Sequence, residues 1–553
     1  MISILLASVA ADVVIYGSSP AAFTAAIEAK ELGKTAVIVS PETRLGGLTT
    51  GGLGQTDIGN KSAFGGLALQ FYRDIADYYK DEANWKYEKR SDYVPDGQCS
   101  GSLGADSMWT FEPSAALKVL GDWEKKHGLD IRRGEYLDRK KVKVEGEGEE
   151  RRIKSFTTLS GEVYEGRMFV DATYEGDLMA AAGVSYIVGR EANSVYGETI
   201  SGVQKAKAVS HQISPGVDPY VVKGDPNSGL LPGVEPFNPS EKDGDGDSRV
   251  QAYCFRMCLT DDPSNRIPVA KPANYDERDY ELLFRDLEMQ AKLDPKKFEG
   301  DAKIYWKFMP WINSRMPNRK TDTNNRGGFS TDFIGANWAW PEASYAEREA
   351  LAQNHLDYQR GLMWTLANHP RVPKTVRDEV SRWGTCRDEF LDGRGDGWQK
   401  QLYVREGRRM IGDTVMTEAH CRHQKTAARP VAMAAYTMDS HHVRRYVGAD
   451  GFVHNEGDIQ DHAVLKLGPY PIDYGALIPK KAECGNRFVP VCLSASHMAF
   501  GSIRMEPVFF AMGQVAGAAA ALSIDGGVAV QDLDYSKLRA RLVERGQVIE
   551  GKK

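Results

Sequence analysis

The stretch Asp12-Val-Val-Ile-Tyr16, followed at once by Gly17-Ser-Ser-Pro-Ala-Ala22, decides the fold class. Its first half is a short apolar, β-branched run, the pattern of a strand buried on both faces of a parallel sheet. Pro20 suits the first turn of a helix, where its missing N–H would have no partner anyway. Ala21 to Leu32 continues as an Ala-rich helix that Gly33 ends, and Thr35-Ala-Val-Ile-Val39 reads as a second strand. Strand, turn, helix and strand within about 30 residues form the setting in which a dinucleotide fingerprint carries meaning. Against G-x-G-x-x-G the chain offers Gly17 for the tight turn, Ser19 where backbone approaches a pyrophosphate, and Ala22 for close helix–strand packing. Ser40 occupies the place of the ribose-binding acid, with Glu42 two residues on.

Outward from that unit, Arg44-Leu-Gly-Gly-Leu-Thr-Thr-Gly-Gly-Leu-Gly54 holds five glycines in eleven residues. Each glycine loses more backbone entropy on folding than any other residue, so an ordinary connection gains nothing from such a run. Backbone lying against a planar, phosphate-bearing cofactor gives it a purpose. Arg44, Gly46, Gly47, Thr49 and Gly52 are therefore candidate cofactor-binding residues, together with Gly17, Ser19, Pro20, Ala22 and Ser40.

With these motifs the sequence resembles the FAD-dependent oxidoreductase family related to the fumarate reductase and glutathione reductase flavoproteins, some members of which are labelled xanthan lyase. Phe169-Val-Asp-Ala-Thr-Tyr-Glu-Gly-Asp-Leu178 is similar to the family's second FAD motif, with Tyr174 where glycine commonly follows the threonine. Asn486 to Cys492, Ser494 to His497, Gly501 to Glu506 and Gly513 to Gly517 are similar to its carboxyl-terminal flavin motif. The resemblance implies FAD, and it implies cofactor contacts from Asp171, Ala172, Thr173, Gly176, Asp177, Arg504, Gly513 and Gln514. It also implies an α/β fold with a doubly wound, Rossmann-like FAD-binding domain and a large inserted α+β substrate domain. That division places the FAD domain at residues 1–190 and 465–530, the insert at 191–464 and a tail at 531–553. Gly513, Gly517 and Ala521 fall four apart on one helix face, which suits close approach to another backbone or to the flavin ring.

Composition narrows the alternatives. The chain of 553 residues carries 70 basic and 76 acidic side chains, a net charge of −6. Without a basic excess there is no bulk electrostatic case for nucleic acid. No apolar stretch is read as long enough to span a bilayer, which takes about 18 residues. Seven cysteines with no CxxC pair exclude a disulfide scaffold or a zinc ribbon, and no metal is expected. Asp243-Gly-Asp-Gly-Asp247 fails as an EF-hand because Ser248 and Cys254 stand where glycine and glutamate are needed. Residues 1–11 read either as a short or truncated signal peptide or as a leader running into the first strand, so a cytoplasmic and an exported location both stay open.

Inside the insert, Lys320 to Asn325 and Ser330 to Asp332 read as a polar, turn-rich stretch, and Glu347 to Leu366 as a helix capping the site. Two basic clusters, Tyr403 to Arg409 and Asp439 to Arg445, are placed to hold a carboxylate, unless they form a solvated face. The expected activity is hydride transfer between FAD and a small organic substrate, a sugar or a carboxylate-bearing compound, with an unidentified electron acceptor. His497 is the first candidate acid or base, Arg504 the charge stabiliser and His441 the second candidate. The competing classes are a carbohydrate lyase acting without redox change and a non-catalytic flavin-binding protein.

Overall fold

The computed structural model describes residues 8–96, 106–299 and 311–551. The strand β1, Val9–Tyr16, leads through the Gly17 turn into α1, Pro20–Glu31, and returns as β2, Ala36–Ser40. Pro20 opens the helix as expected. β1 starts earlier than the expected Asp12, because Val9 to Ala11 pair with Tyr164 to Gly166. After α2 (Gly47–Thr50), α3 (Gly66–Tyr78) and α4 (Pro113–His127), the chain adds β3, Asp130–Arg133. A meander follows: β4 (Leu137–Glu145), β5 (Arg152–Thr158) and β6 (Val163–Asp171).

These strands form one mixed sheet in the order β3-β2-β1-β6-β5-β4, with Arg487–Phe488 added beside β6 late in the chain. The pairs β3–β2, β2–β1 and β1–β6 are parallel, whereas β6–β5 and β5–β4 are antiparallel. Alternation sends Val13, Ile15, Ile38 and Val170 into one core with α1 and the helix Glu506–Gly526. Val14, Tyr16, Val37, Val39 and Phe169 pack on the other face with Phe156, Leu178 and Met179. Both faces of the parallel part are thus covered, which is why β1 and β2 read as continuous apolar runs.

Glu506–Gly526 is long and apolar enough to cross a membrane by length and composition, which corrects the expectation that no such stretch exists. It is almost wholly buried inside the protein as a core helix. A second, five-stranded sheet contains Met257–Thr260, Arg266–Ile267, Trp311–Met316, Lys320–Asn325 and Gly384–Cys386. Lys320–Asn325 is therefore a strand and not the expected turns. Its pairing on both sides and the burial of Lys320 and Asp322 against ionic partners override the poor strand propensity of Thr-Asp-Thr-Asn-Asn. The expected capping helix is Tyr345–Asn368, begun by a capping box between Ser344 and Glu347.

Candidate functional site

A cavity of about 670 Å³ opens beyond the carboxyl ends of the parallel strands. Ser18 lines it after β1, Glu42 and Thr43 after β2, Gly134 and Tyr136 after β3, and Thr173 to Glu175 after β6. Trp340, Tyr345, Arg348, Arg394 and Lys400 close it from the segment between the two parts of the sheet. Open α/β sheets bind ligands at this position, where turns rather than strands face the ligand.

The local geometry explains the glycines. Gly17 has φ +128°, and a Cβ there would lie 2.5 Å from the Ala172 carbonyl carbon. Its N–H donates to the Val39 carbonyl at 2.9 Å, so the turn fastens β1 to β2 and crosses the end of β6. Ser19 donates its hydroxyl to the Ala172 carbonyl at 2.7 Å, and so leaves the first turn of α1 without a side-chain cap. Uncapped N–H groups at a helix start beside a cavity suit a phosphate. Ser40 accepts from the Glu42 N–H at 3.0 Å and donates to the Glu42 carbonyl at 2.8 Å. It shapes the turn that brings Glu42 to the cavity wall. Burial raises the Glu42 carboxyl above its ordinary value, opposed by Lys400 and Arg394.

Tyr174 belongs to both this cavity and a narrow crevice lined by Leu48, Tyr403, Arg405, Glu406, Arg504 and Phe509. The Tyr174 hydroxyl accepts from the Leu48 N–H at 3.0 Å and donates to Glu506 at 2.9 Å, while Thr49 donates to the other Glu506 oxygen at 2.7 Å. Burial pushes the Glu506 carboxyl up to about 7 despite these two donors. In the crevice, Arg405 Nε and Arg504 Nε are buried without a hydrogen-bond partner among the described residues. Two orphan donors in an aromatic-walled slot fit a flat group edged with carbonyl acceptors. The cavity has room for a dinucleotide such as FAD, whereas the crevice, at about 10 Å³, admits no more than the edge of a ring.

Among the residues expected from sequence, Thr173 and Asp177 line the cavity and Arg504 lines the crevice. Gly17, Ser19, Pro20, Ala22, Ser40, Gly46, Gly47 and Thr49 build the turns behind them. Others lie elsewhere. Arg44 donates to the Thr50 carbonyl of its own loop and pairs with Asp392 at 2.8 Å. Gly52 packs on the Arg256 carbonyl, where a Cβ would come within 2.3 Å. Asp171 spends its oxygens on Thr173 and on the Met179 N–H, locking the turn that holds Ala172 and Gly176. Gly513 and Gly517 face the backbone of α1, with a Cβ 2.3 Å from the Ala21 and Ala25 carbonyls. The small-residue face thus serves helix–helix packing and not a ring. Gln514 bridges the Leu67 N–H and Glu28, away from the cavity.

The two histidines differ. His497 is buried, its Nδ1 2.8 Å from Glu406 and its N–H on Glu191. Arg409 binds the same two carboxylates, so the group is closed upon itself. Against the raising effect of burial, His497 and Arg409 hold Glu406 down at about 2. His441 has Nδ1 2.7 Å from Asp332 and Nε2 3.5 Å from Asp439. Arg405 braces Asp332 at 2.8 Å, and Arg504 braces Asp439 at 2.9 Å while donating to the Tyr403 hydroxyl at 3.0 Å. His441 therefore reaches the crevice through Arg405 and Arg504, whereas His497 reaches it through Glu406.

The basic clusters do not act as one anion trap. Arg408 is bound to Asp177 and Glu342, Arg409 to Glu191 and Glu406, and Arg444 to Glu235, Glu241 and Glu456. Nor does the Asp243–Asp247 loop gather ligands: Asp243 accepts from the Lys205 and Ala206 N–H groups and Asp247 pairs with Arg190. Among the described residues no group of three or more His, Cys, Asp or Glu side chains is arranged to hold a metal. Sequence reading gave no site role to Glu42, Tyr136, Tyr174, Arg348, Glu406 or Glu506. Glu42 and Tyr174 had local signals, the one as the acid two residues beyond β2 and the other as the departure from the second FAD motif.

An α/β fold with a cavity beyond the carboxyl ends of its parallel strands is an architecture that commonly binds nucleotides there. The chain belongs to the FAD dependent oxidoreductase family, whose sequence model matches residues 12–542, and FAD is the cofactor of that family. No curated protein matches the sequence. Solved structures with partial likeness include the anhydrotetracycline hydroxylase OxyS from Streptomyces rimosus, at 15% identity and TM-score 0.22 over 34% of this chain and 36% of that one. The 3-ketosteroid-delta4-(5alpha)-dehydrogenase from Rhodococcus jostii aligns at 14% identity and TM-score 0.20 over 32% and 50%. The amino acid oxidase NikD aligns at 17% identity and TM-score 0.21 over 34% and 57%. The chain thus spans about a third to under two thirds of their lengths, and no residue role follows from them.

Proposed function

We propose that this protein moves a hydride between a small organic substrate and FAD, on a doubly wound, Rossmann-like domain formed by residues 1–190 and 465–530. Residues 191–464 would supply the substrate-binding insert. The observation that carries the reading is the strand-end cavity beside the uncapped start of α1, with the orphan Arg405 and Arg504 N–H groups in a neighbouring crevice that shares Tyr174 as a wall. Glu42, Ser18, Thr173 and the start of α1 would hold the dinucleotide, and Arg405, Arg504 and Tyr174 the ring. Bound FAD supplies a two-electron acceptor or donor. The chain's own tasks are to bind the substrate beside the crevice, exclude water and move a proton. His441 is suited to the last task, since Asp332 fixes Nδ1 and leaves Nε2 on the side of Asp439. His497, held by Glu406, acts in this reading as a positioning residue for the crevice wall.

Purified protein should be yellow, with the absorbance bands near ~450 and ~375 nm of oxidised flavin. Anaerobic substrate should bleach the longer-wavelength band, and oxygen, a quinone, a nicotinamide or a protein acceptor should restore it. Folded protein that stays colourless after incubation with FAD would overturn the reading.

A further inference from the structure

Outside the cavity and the crevice, two thiols stand side by side in the second sheet. Cys258 lies in the strand Met257–Thr260, and Cys386 ends the neighbouring antiparallel strand Gly384–Cys386. Thr260 faces Gly384 and Leu259 faces Thr385, so the next step of the same register sets Cys258 opposite Cys386. Their sulfurs are 3.7 Å apart, and both side chains are buried with Met316 and Phe390 in a small core of their own. The other described cysteines meet nitrogen or oxygen instead of sulfur. Cys254 accepts from Arg405, Cys484 donates to the Asn486 side chain, Cys492 donates to the Thr173 carbonyl, and Cys421 lies beside Tyr470.

Position decides what such a pair can do. Residues directly opposite in an antiparallel pair have Cα atoms about 4.5 or 5.5 Å apart, and a disulfide accepts about 4.4–6.8 Å, so bonding these sulfurs takes side-chain rotation rather than strand movement. As thiols they gain little from each other, with Cys386 donating weakly to the Cys258 carbonyl at 3.6 Å. A bond would join residues 128 apart in sequence, around a loop that holds Trp311–Met316, Lys320–Asn325 and the capping helix Tyr345–Asn368. Long closed loops are where a crosslink removes the most entropy from the unfolded chain. Burial and the neighbouring Cys386 push the Cys258 thiol well above its ordinary range, so the folded, reduced protein holds too little thiolate to react quickly. Its chemistry therefore goes through transient opening of the sheet.

We infer that Cys258 and Cys386 are a cross-strand disulfide site, open or closed according to the thiol–disulfide poise of the surroundings, and that closing it locks the sheet of the insert. The oxidant is a small disulfide such as oxidised glutathione. One protein thiolate attacks a glutathione sulfur, breaking its S–S bond and releasing one glutathione thiolate. The other attacks the protein sulfur of the mixed disulfide and releases the second. Two protein thiols thus lose two electrons and two protons, and one glutathione disulfide becomes two thiols. Neither cysteine lines the cavity or the crevice, so flavin content does not depend on the bond.

The test incubates the purified full-length protein with oxidised glutathione in urea just below its unfolding midpoint, where openings are frequent, beside a sample given reduced glutathione. After dilution into native buffer the remaining thiols are alkylated, and the protein is digested without reductant for mass spectrometry. The oxidised sample should yield a linked peptide pair carrying Cys258 and Cys386, with two fewer alkylated thiols than the reduced one. Its urea midpoint should be higher by about 0.5 M, and dithiothreitol should return it to the reduced value. Cys258→Ala and Cys386→Ala should each abolish the linked pair and the rise, with FAD content, read from the ~450 nm band, unchanged. Should either variant fail to fold, the peptide map and midpoint of the parent decide alone. Absence of the Cys258–Cys386 peptide, linkage to another cysteine in its place, or a linked pair with an unmoved midpoint overturns the inference.

Discussion

Asp177 and Asp57 are two carboxylates set beside arginines, and their surroundings are inverted. At the nucleotide end, one carboxylate is gripped by Arg139, Arg348 and Arg408 at 3.0, 2.6 and 2.8 Å. Burial raises Asp177, yet Arg348 and its neighbours outweigh it and hold the carboxyl below its ordinary value. Around Asp57, burial lifts the carboxyl above its ordinary value despite Arg256 at 3.9 Å, with Asp322 and Asp439 adding like charge. The difference teaches that arginine content says little about ligand charge.

The largest effect that bears on this contrast is expected at the turn that creates the nucleotide end. Gly17→Val places a Cβ against the Ala172 carbonyl in a conformation β-branched residues avoid, so FAD uptake should be lost altogether. Flavin absorbance after reconstitution checks it, and a yellow variant would move the cofactor elsewhere. Next, Asp177→Ala leaves three guanidinium groups without their shared carboxylate. Removing one partner of a buried ionic cluster costs about 3–5 kcal/mol, against less than about 1 kcal/mol for Asp57→Asn at the more exposed end. Urea unfolding of the two variants measures the ratio, and equal losses would erase the contrast.

The histidines sharpen the comparison on the chemical side. His441→Ala should retain flavin and lose at least ~10²-fold of substrate-driven flavin reduction in stopped flow, the usual effect of removing an acid–base group. His497→Ala should instead leave Glu406 and Arg409 poorly partnered in a closed pocket and lower stability. Its reduction rate should fall less than that of His441→Ala. The reverse ranking would return the acid–base role to His497.

Legibility in the sequence followed the range of the interactions. The β1–α1–β2 unit was readable because continuous β-branched runs, Pro20 and Gly33 are local signals. The small-residue face of Gly513, Gly517 and Ala521 was visible in the sequence, but its partner was not: Gly513 and Gly517 pack on α1, almost the whole chain away. The arginine clusters were misleading for the same reason. Arg408 and Asp177 are 231 residues apart and His441 and Asp332 are 109 apart, so no window of sequence contains both members. Ser40 was found in place of Glu42 because the hydroxyl's role is to turn the chain, and only the turn reveals which side chain faces the cavity.

Glu506 gives the smallest and most specific test, because it is bound by Tyr174, the wall shared by cavity and crevice, and has no ion-pair partner among the described residues. Its carboxyl, ordinarily 4.5, is raised to about 7 by burial, with only Thr49 and Tyr174 donating to it. A raised carboxyl means that the folded protein binds more protons than the unfolded chain between those two values. Stability therefore falls as pH rises from about 4.5 to about 7, by up to roughly 3 kcal/mol, and is flat with respect to this group above that window. Glu506→Gln removes the charge and keeps the shape, with one of the two hydroxyls turning from donor to acceptor. The variant should match the parent at pH ~5 and exceed it at pH ~8, as measured by urea midpoints at the two values. Identical pH profiles for parent and variant would mean that Glu506 is charged throughout, with a counter-charge beside it. The wall shared by cavity and crevice would then be partly cationic, and the contrast in surroundings would be weaker than the pairing of Asp177 and Asp57 indicates.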